Sequence, residues 1–478
     1  MRKYAWFFVI FVLAGSFTGA QERFRRTPPI PDPLPTLEIP EIKSYKLANN
    51  LRIFLVRKEG LPMINVLLTI LTGESSSPDA MPGLAAFTAN MLSHGSQSYS
   101  AEEIEETIDS IGGRYFSATY PDYTIFSLSF LEENIDPALQ LFGDMVLRPS
   151  FARREIEDLQ RTTFYDLAFK RLDPDFSGKK LLFQLLFRDH AYRKIAYNDN
   201  IIRTYTQALV RVFYENFYRP NNAFMIITGN LNLDRATLKI SHNFNTWQEG
   251  ILERIHLSDP ENEEQEKICF LEIPRLRDAT IFMGTLLPPK THQDYFTLQV
   301  LNQSLGGSLI SRLSMNLRES KGYAYWAYSN MEFFKNCGIF YVRARVRPEF
   351  IQASVEQIQS EIRAVSSERI PNDEIETAKS YLLGQFPLGI ETYADLGSKI
   401  AEMHALGLDD GHLTRYFDSI KSIDAQGVFE TARRNSLMPT VIVIVGDGSV
   451  LENMGFDKVD VYNNRGEYIR SIPKGERQ

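Results

Sequence analysis

The residues of this chain best able to hold a metal ion are its seven histidines. Two histidines can bind zinc from one helix when they stand at positions i and i+4, because both side chains then point the same way. His94 has no Glu or His at that spacing before it, and a Gly-Leu-Asp-Asp-Gly stretch lies between His404 and His412. The histidines therefore predict no metal site in this chain.

The two cysteines, Cys269 and Cys337, leave two possibilities open. Each lies next to a strand-like run, which is typical of a buried free thiol. In an oxidising compartment the same two residues could form a disulfide. The sequence does not choose between the two.

One helical segment, Gly83–Leu92 (GLAAFTANML), resembles the zinc helix of the insulinase/pitrilysin-type metallopeptidases, the inverzincins. Their helix reads G-L-A-H-F-L-E-H-M, and this chain is similar to the mitochondrial-processing-peptidase-like branch. Ala86 stands where the family has its first His, Ala89 where it has the general-base Glu, and Asn90 where it has the second His. Alanine has no lone pair, and a single Asn amide is a poor zinc ligand. The resemblance therefore implies a member of the family that does not bind zinc.

The family takes its third zinc ligand, a Glu, from a later helix, and the matching position here is Asp166. A carboxylate can bind zinc, but this side chain is one methylene shorter and would be the only ligand that survives. We therefore expect Asp166 to be a polar residue in a disused pocket. No cofactor is expected in this chain.

A second segment, Leu317–Tyr325 (LRESKGYAY), resembles the family signature L-R-E-x-x-G-L-A-Y. In the family, the Arg and Tyr of this motif face the zinc helix across a chamber and help to hold the substrate. The resemblance implies that role for Arg318 and Tyr325. A fixed guanidinium and a phenol O–H can stabilise the negative charge that develops on a peptide carbonyl oxygen during hydrolysis. The alternative is that Arg318 pairs with Glu319 and Tyr325 packs within a strand.

The elements that must position these residues occur twice along the chain. A strand-like run, Thr124–Phe130, precedes two helical segments in the first half, and Ile339–Val346 does so in the second. Each half ends in an apolar strand closed by glycine, and Gly229 and Gly446 are 217 residues apart. This order predicts an α+β fold of two homologous halves, each a mainly antiparallel sheet with helices packed on one face. The family resemblance implies the same fold.

The composition excludes several classes of protein. With 478 residues, 44% apolar and 23% charged, the chain is typical of a soluble globular protein of more than one domain. The net charge is −8 and there is no long basic block, so nucleic-acid binding is excluded.

The N-terminus predicts export. Arg2 and Lys3 precede the apolar run Tyr4–Ala14 and a small-residue cleavage site, Thr18–Ala20. The run is shorter than the roughly 20 residues that a membrane span needs, although an uncleaved anchor is the alternative. We expect a Sec-type signal peptide and a periplasmic or secreted protein of a Gram-negative bacterium, without a membrane span after cleavage.

Changes in composition and the repeat together suggest the domain boundaries. The predicted segments are a signal peptide (1–20), a proline-rich arm (21–41), a first α+β domain with the degenerate zinc helix (42–250), a linker (251–267), a second α+β domain with the Arg/Tyr pair (268–470) and a C-terminal tail (471–478).

The loss of the zinc motif and the retention of the Arg/Tyr motif suggest a function. Within the family, some bacterial members divide the two motifs between two chains. The leading hypothesis is a non-zinc subunit of a heterodimeric zinc endopeptidase, with zinc in the partner and with peptides or unfolded segments as substrates. The competing hypothesis is a scaffold or peptide-binding protein with no role in catalysis. Hydrolysis by this chain alone would need a metal site that the sequence lacks.

Overall fold

The computed structural model describes residues 39–194, 199–230, 232–252, 257–263 and 265–473. The predicted signal peptide, most of the proline-rich arm and most of the C-terminal tail lie outside these residues. By their contacts, both halves of the described chain belong to one unit. Among the described helices, none has both the length and the apolar character that crossing a membrane would require.

A mainly antiparallel sheet forms the centre of the first half. Its strands are β1 (Ile42–Lys46), β2 (Arg52–Arg57), β3 (Met63–Ile70), β4 (Arg114–Thr119), β5 (Thr124–Leu131) and β6 (Ala223–Gly229). They lie in the order β1-β2-β6-β3-β5-β4. The β2 and β6 strands run parallel, and the other neighbouring pairs are antiparallel.

The second half is built in the same way around a seven-stranded sheet. Its strands are β7 (Lys267–Glu272), β8 (Ala279–Leu287), β9 (Ala324–Phe333), β10 (Gly338–Val346), β11 (Val441–Gly446), β12 (Lys458–Tyr462) and β13 (Tyr468–Pro473). They lie in the order β13-β12-β7-β11-β8-β10-β9, so β9 and β13 are the two edge strands. The predicted α+β class and mainly antiparallel sheets are confirmed.

Helices fill the sequence between these strands. In the first half they are α1 (Leu84–Met91), α2 (Ala101–Ser110), α3 (Ile135–Leu147), α4 (Arg153–Lys170), α5 (Pro174–Phe187), α6 (Asp199–Ile202), α7 (Gln207–Phe217) and α8 (Leu233–Phe244). In the second half they are α9 (Tyr295–Gly306), α10 (Arg312–Ser314), α11 (Ile351–Ser367), α12 (Asn372–Gln385), α13 (Tyr393–Ala405), α14 (His412–Ser422) and α15 (Ala425–Arg434), and a π-helical turn, Met315–Ser320, follows α10.

The two glycine-closed strands, β6 and β11, are buried at every residue. The sequence predicted that each half ends at one of them, but α8 follows β6, and β12 and β13 follow β11. A strand with one solvated face alternates apolar and polar residues, whereas a strand covered on both faces is a continuous apolar run. In β11, Ile442 and Ile444 pack with helices of their own half. Val441, Val443 and Val445 belong to a different apolar cluster, which contains residues of α5. Both sheets are therefore covered on both faces.

The second face of each sheet is covered by a helix from the other half. Helix α13 of the second half packs on β3 and β6, and helix α5 of the first half packs on β8 and β11. The sequence predicted helices on one face of each sheet. The structure adds an exchanged helix on the opposite face, because the apolar pattern of a helix does not say which sheet it will cover.

A glycine brings each exchanged helix close to its sheet. Gly178 of α5 faces Phe282 and Val445, and a Cβ atom there would overlap the Phe282 ring. Gly397 of α13 occupies the related place on the first sheet, where a Cβ atom would lie 3.1 Å from Asn65 Oδ1. The two glycines are 219 residues apart, close to the offset between the halves. The exchange therefore follows the internal repeat.

Polar contacts also join the halves. Thr228 Oγ1 donates a hydrogen bond to the carbonyl oxygen of Tyr393 at 2.7 Å. The Asp122 carboxylate accepts hydrogen bonds from Tyr192 Oη at 2.6 Å and from the Lys335 backbone N–H at 2.8 Å. The contact with Lys335 ties the tip of the β4–β5 hairpin to the β9–β10 turn, and the contact with Tyr192 holds Asp122 within the first half.

The two cysteines are free thiols buried in the α5 cluster. Burial raises the pKa of the Cys269 thiol to about 12. Burial also raises the pKa of Cys337. Both groups are therefore neutral thiols within the core.

The close approach of Gly178 to the second sheet predicts that one added methyl group there will destabilise the protein. Gly178→Ala should lower the free energy of unfolding by about 1–3 kcal/mol, because the added carbon overpacks the contact with Phe282 and Val445. The matched control is Gly384→Ala in α12, where a Cβ atom would meet nothing within 4 Å. That variant should be unchanged or stabilised by up to about 1 kcal/mol. Chemical denaturation of both variants measures this, and equal effects would contradict the packing argument.

Candidate functional site

The degenerate zinc helix, α1, is held at its N-terminus by residues that precede it in the chain. Gly83 has a φ of 101°, a left-handed conformation that favours glycine, and it has no side chain with which to cap the helix. The Glu74 carboxylate instead accepts a hydrogen bond from the Gly83 N–H and a longer one, 3.4 Å, from that of Ala86. Ser77 Oγ accepts one from the Ala85 N–H at 2.9 Å. An anionic group at this end of the helix also interacts favourably with its dipole.

The three positions that would carry zinc chemistry are close together but lack suitable donor atoms. Ala86 is partly exposed, whereas Ala89 is 1% exposed and belongs to the first-half core. Asn90 Oδ1 accepts a 3.4 Å hydrogen bond from Ser117 Oγ, and the Asn90 carbonyl oxygen lies 2.9 Å from His94 Nδ1. His94 is therefore turned back onto its own helix.

Asp166 lies on α4 and, with Ala86, lines the same cavity. Its carboxylate is 2.8 Å from the Lys170 ammonium, one helical turn away. In the described part of the chain, no group of three or more His, Cys, Asp or Glu residues is placed to hold a metal ion. Two alanines, one amide and one carboxylate already engaged by lysine do not fit a zinc ion. The residues present therefore do not suit the cofactor of the family.

The cavity beside α1 has a volume of about 960 Å³ and lies between the two halves. The first half contributes the start of α1, the β4–β5 turn and the facing parts of α4 and α5. The second half contributes the end of β9, the start of α9 and one side of α13. Tyr120 and Tyr123 stack in its wall with ring centroids 4.6 Å apart. Such a space could enclose several residues of an extended peptide.

A buried acid and a buried base lie at the α1 end of this cavity. Burial raises the pKa of Glu74 to about 7, although its hydrogen bonds and the charge of Lys194 oppose the change. Lys194 Nζ donates to the carbonyl oxygen of Ser75 at 3.2 Å and to that of Ser77, and lies 3.3 Å from Asp79. Glu74 thus changes its charge near neutral pH while its position is held by the backbone.

A second charged group lies at the α13 end. Lys290 Nζ is 2.6 Å from Glu402 Oε1, and Lys399 Nζ is 2.8 Å from Glu402 Oε2. Although burial opposes them, the two lysines lower the pKa of Glu402 to about 2. This carboxylate therefore stays ionised.

Arg318 and Tyr325 lie outside this cavity. Arg318 is on the π-helical turn and Tyr325 is near the start of edge strand β9. Their exposed fractions are 47% for the Arg318 side chain and 53% for Tyr325. Arg318 Nε is 3.5 Å from Glu319 Oε1, an exposed contact that contributes about 0–1 kcal/mol. Both side chains are accessible.

The distance between the Arg318/Tyr325 pair and the cavity can be judged along strand β9, which contains both Tyr325 and a residue of the cavity wall. Met331, on the same strand, lines the cavity, and six positions separate it from Tyr325. At about 3.3 Å per residue, the two lie roughly 20 Å apart along the strand. The structure therefore brings Ala86 and Asp166 together and leaves Arg318 and Tyr325 at a different place.

Sequence reasoning did not find Glu74, Lys194, Lys290, Lys399 or Glu402. No motif connects them, and Lys290 and Glu402 are 112 positions apart. The nearest signal was local, because Lys399 and Glu402 are three positions apart on one helix face. That spacing is common in exposed helices and does not by itself indicate a buried site.

The residues at the zinc positions predict that the chain does not bind zinc. They also predict that zinc binding can be restored by replacing two of them with histidine. Wild-type protein should hold no stoichiometric zinc after dialysis. The variant Ala86→His/Asn90→His should bind about one zinc ion, since imidazoles at i and i+4 would join Asp166. Competition with a chromophoric chelator measures both. Tight binding of zinc by the wild type would contradict the argument.

Glu74 predicts a pH dependence of stability. Its folded pKa of about 7 exceeds the value of 4.5 in the unfolded chain, so the folded state keeps a proton that the unfolded state releases. The stability of the wild type should therefore fall by up to about 3 kcal/mol between pH 4.5 and 7, relative to Glu74→Gln. Urea unfolding of both proteins across that range tests this. Parallel pH profiles would show that Glu74 does not titrate in this way.

Comparison with protein families confirms the family resemblance. Residues 52–197 match the family described as insulinase (peptidase family M16). Residues 204–382 match the family described as peptidase M16 inactive domain. The two matches together cover most of both halves.

Curated relatives carry the name zinc protease. An uncharacterized zinc protease of Bacillus subtilis, YmxG, is 24% identical over 352 residues, which is 73% of this chain and 85% of the relative. One from Rickettsia bellii is 22% identical over 412 residues, which is 85% of this chain and 97% of the relative.

Solved structures show the same fold. A peptidase M16 inactive domain from Pseudomonas fluorescens matches with a TM-score of 0.80 and 21% identity, covering 85% of this chain and 98% of that one. The periplasmic protease PqqL from Escherichia coli matches with a TM-score of 0.71 and 17% identity, covering 87% of this chain and 48% of that one. The two family matches, which together cover more than half of the chain, show that it belongs to the insulinase (M16) family, with residues other than H-x-x-E-H at the zinc-helix positions.

Proposed function

We propose that this protein is the zinc-free subunit of a heterodimeric zinc endopeptidase that acts on peptides or unfolded segments. It supplies Arg318 and Tyr325 in trans to a homologous partner that carries H-x-x-E-H. The observation that carries the proposal is the accessibility of this pair, Arg318 on the π-helical turn and Tyr325 on edge strand β9, in a chain whose own zinc positions hold no suitable donors.

The distance along β9 favours a site shared with another chain. A substrate carbonyl held by Tyr325 would be roughly 20 Å from the part of β9 that lines the cavity of α1. The two places could not act on the same peptide bond. The exposed pair is therefore available to a catalytic centre brought by a partner.

The chemistry of the pair suits that role. Hydrolysis of an amide develops negative charge on the carbonyl oxygen, and a guanidinium and a phenol O–H can both donate hydrogen bonds to it. Donors that are already in place need no reorganisation during the reaction. The loose contact between Arg318 and Glu319, 3.5 Å, leaves the guanidinium free to exchange partners.

The length of a structural neighbour gives further support. This chain corresponds to 48% of PqqL, so that protease contains about twice as much chain as this one. In PqqL, a segment of about this length is therefore joined to a second segment of similar length within one chain. We propose that a separate homologous subunit takes that place here, and that the complex acts in the periplasm.

A peptide-binding protein or scaffold without a role in catalysis is the second candidate. It is favoured by the cavity between the halves, which is walled by Tyr120, Tyr123 and Tyr295 and does not include the Arg/Tyr pair. In this case the partner is absent and the cavity itself is the functional site.

The pair predicts a selective loss of activity in the mixed complex. With a quenched unstructured peptide, Arg318→Ala/Tyr325→Phe should lower kcat about 100- to 1,000-fold, as expected when a preorganised donor to the reacting oxygen is lost. The matched control is Arg470→Ala/Tyr468→Phe on β13, the opposite edge strand of the same sheet, where Tyr468 is 57% exposed. The control should keep full activity.

The experiment needs the complex to form in every sample, which size-exclusion chromatography establishes. Activity in the mixture that is indifferent to Arg318→Ala/Tyr325→Phe would refute the shared site. Absence of a complex with the H-x-x-E-H homologue would favour the peptide-binding candidate.

A further inference from the structure

The group formed by Lys290, Lys399 and Glu402 differs in its charge balance from two other ion pairs of the cavity, although Lys194 likewise shares the exposed Asp79 with Arg193. Elsewhere in the lining, Lys170 faces Asp166 at 2.8 Å and Lys179 faces Glu332 at 2.5 Å, one base to one acid. Here two ammonium groups share a single carboxylate. We call these three residues the two-lysine cluster.

The cluster is shielded from water on its inner side. The Lys290 side chain is 4% exposed, whereas Lys399 is 37% exposed and Glu402 27%. An uncompensated charge in such surroundings is unfavourable unless an anion balances it. The inner lysine is therefore fixed by Glu402, and the outer lysine can reach a ligand in the cavity.

Other titratable groups near the cluster do not supply the missing negative charge. Burial and the two lysines lower the pKa of His412 to about 4, so this imidazole is neutral. Asp395, one turn before Lys399, also lines the cavity, but its carboxylate accepts a 2.6 Å hydrogen bond from Thr392 Oγ1 at the start of α13, and both lysines form their ion pairs with Glu402 instead. Asp294 is neutralised by Arg434 at 2.8 Å. Among the described residues, the ion pairs leave the cluster with a net positive charge.

Neutral hydrogen-bond donors surround the cluster in the same cavity. Tyr120 and Tyr123 come from the first half, and burial together with the negative charge of Glu402 raises the pKa of both. Tyr295 comes from the second half, and its ring lies 5.3 Å from Lys290 Nζ. All three line the cavity with Lys399 and Glu402. Protonated phenols beside an excess ammonium form a site that suits an oxyanion.

We infer that the two-lysine cluster binds a carboxylate of a peptide held in the cavity between the halves. The ligand class rests on the proposed function, because a peptide is the substrate of both candidate activities. The aromatic walls suit peptide side chains, and Lys399 with the phenols of Tyr120 and Tyr123 receives the carboxylate. The carboxylate is a free C-terminus or an Asp or Glu side chain, and the two sources share the same chemistry.

The test is peptide binding to the mature chain alone, followed by fluorescence anisotropy. Three versions of one N-terminally labelled peptide distinguish the sources: a free C-terminal acid, its C-terminal amide, and the amide with one internal Asp. The free acid should bind about tenfold more tightly than the plain amide, as one charge-assisted hydrogen bond provides. Recovery of affinity by the Asp-containing amide would assign the site to side-chain carboxylates as well.

Two lysine variants separate the cluster from general charge effects. Lys399→Gln should remove the preference for the acid over the amide, because the outer ammonium is lost while Lys290 and Glu402 stay paired. The matched control is Lys170→Gln, which removes a cavity lysine that Asp166 already neutralises, and it should keep the preference. Thermal unfolding of both variants establishes that each is folded.

Each outcome has a defined meaning. Equal binding of acid and amide by the wild type would overturn the carboxylate site and leave peptide binding, and the shared active site, intact. Displacement of the peptide by inorganic phosphate but not by acetate would overturn the carboxylate assignment. Failure of every peptide to bind would also overturn the inference. Activity of the mixed complex tests the proposed function separately.

Discussion

The exchange of one helix between the halves is the constraint on which the rest of this structure depends. Helix α5 of the first half covers the second sheet, and α13 of the second half covers the first. Neither half could leave the other without exposing an apolar sheet face, and burial of such faces is the main source of stability in a protein of this kind. The glycines at 178 and 397 let each helix lie against its sheet. The relative position of the halves is therefore set by core packing rather than by a flexible hinge.

The cavity is a consequence of this arrangement. It opens where the two halves meet, and α13 forms both part of its wall and the cover of the opposite sheet. Its charged groups come from segments far apart in the chain, and two of its ion pairs, Asp166 with Lys170 and Lys179 with Glu332, join one base to one acid. Because the walls are formed by elements that pack against both sheets, the fold itself positions these charges, and such preorganisation favours selective recognition.

Helix α1 is held in the fold by packing and capping contacts. Ala89 is buried in the first-half core, and Glu74 with Ser77 caps the start of α1. The helix thus retains a packing role that does not need metal ligands. The Arg318/Tyr325 motif lies instead on an exposed edge, where side chains are not required for packing.

The sequence by itself determined the α+β class, the two halves and the family, because repeated strand and helix patterns and two short motifs are local in the chain. It also determined that zinc ligands are missing, since that depends only on residue types at known spacing. The exchanged helices, the Glu74 cap and the two-lysine cluster were decided by the tertiary structure alone. The apolar pattern of an amphipathic helix does not determine which sheet it will cover. Lys290 and Glu402 are 112 positions apart and meet only after the halves have docked. The burial that strengthens the interactions of these charged groups likewise exists only once the two halves have packed together.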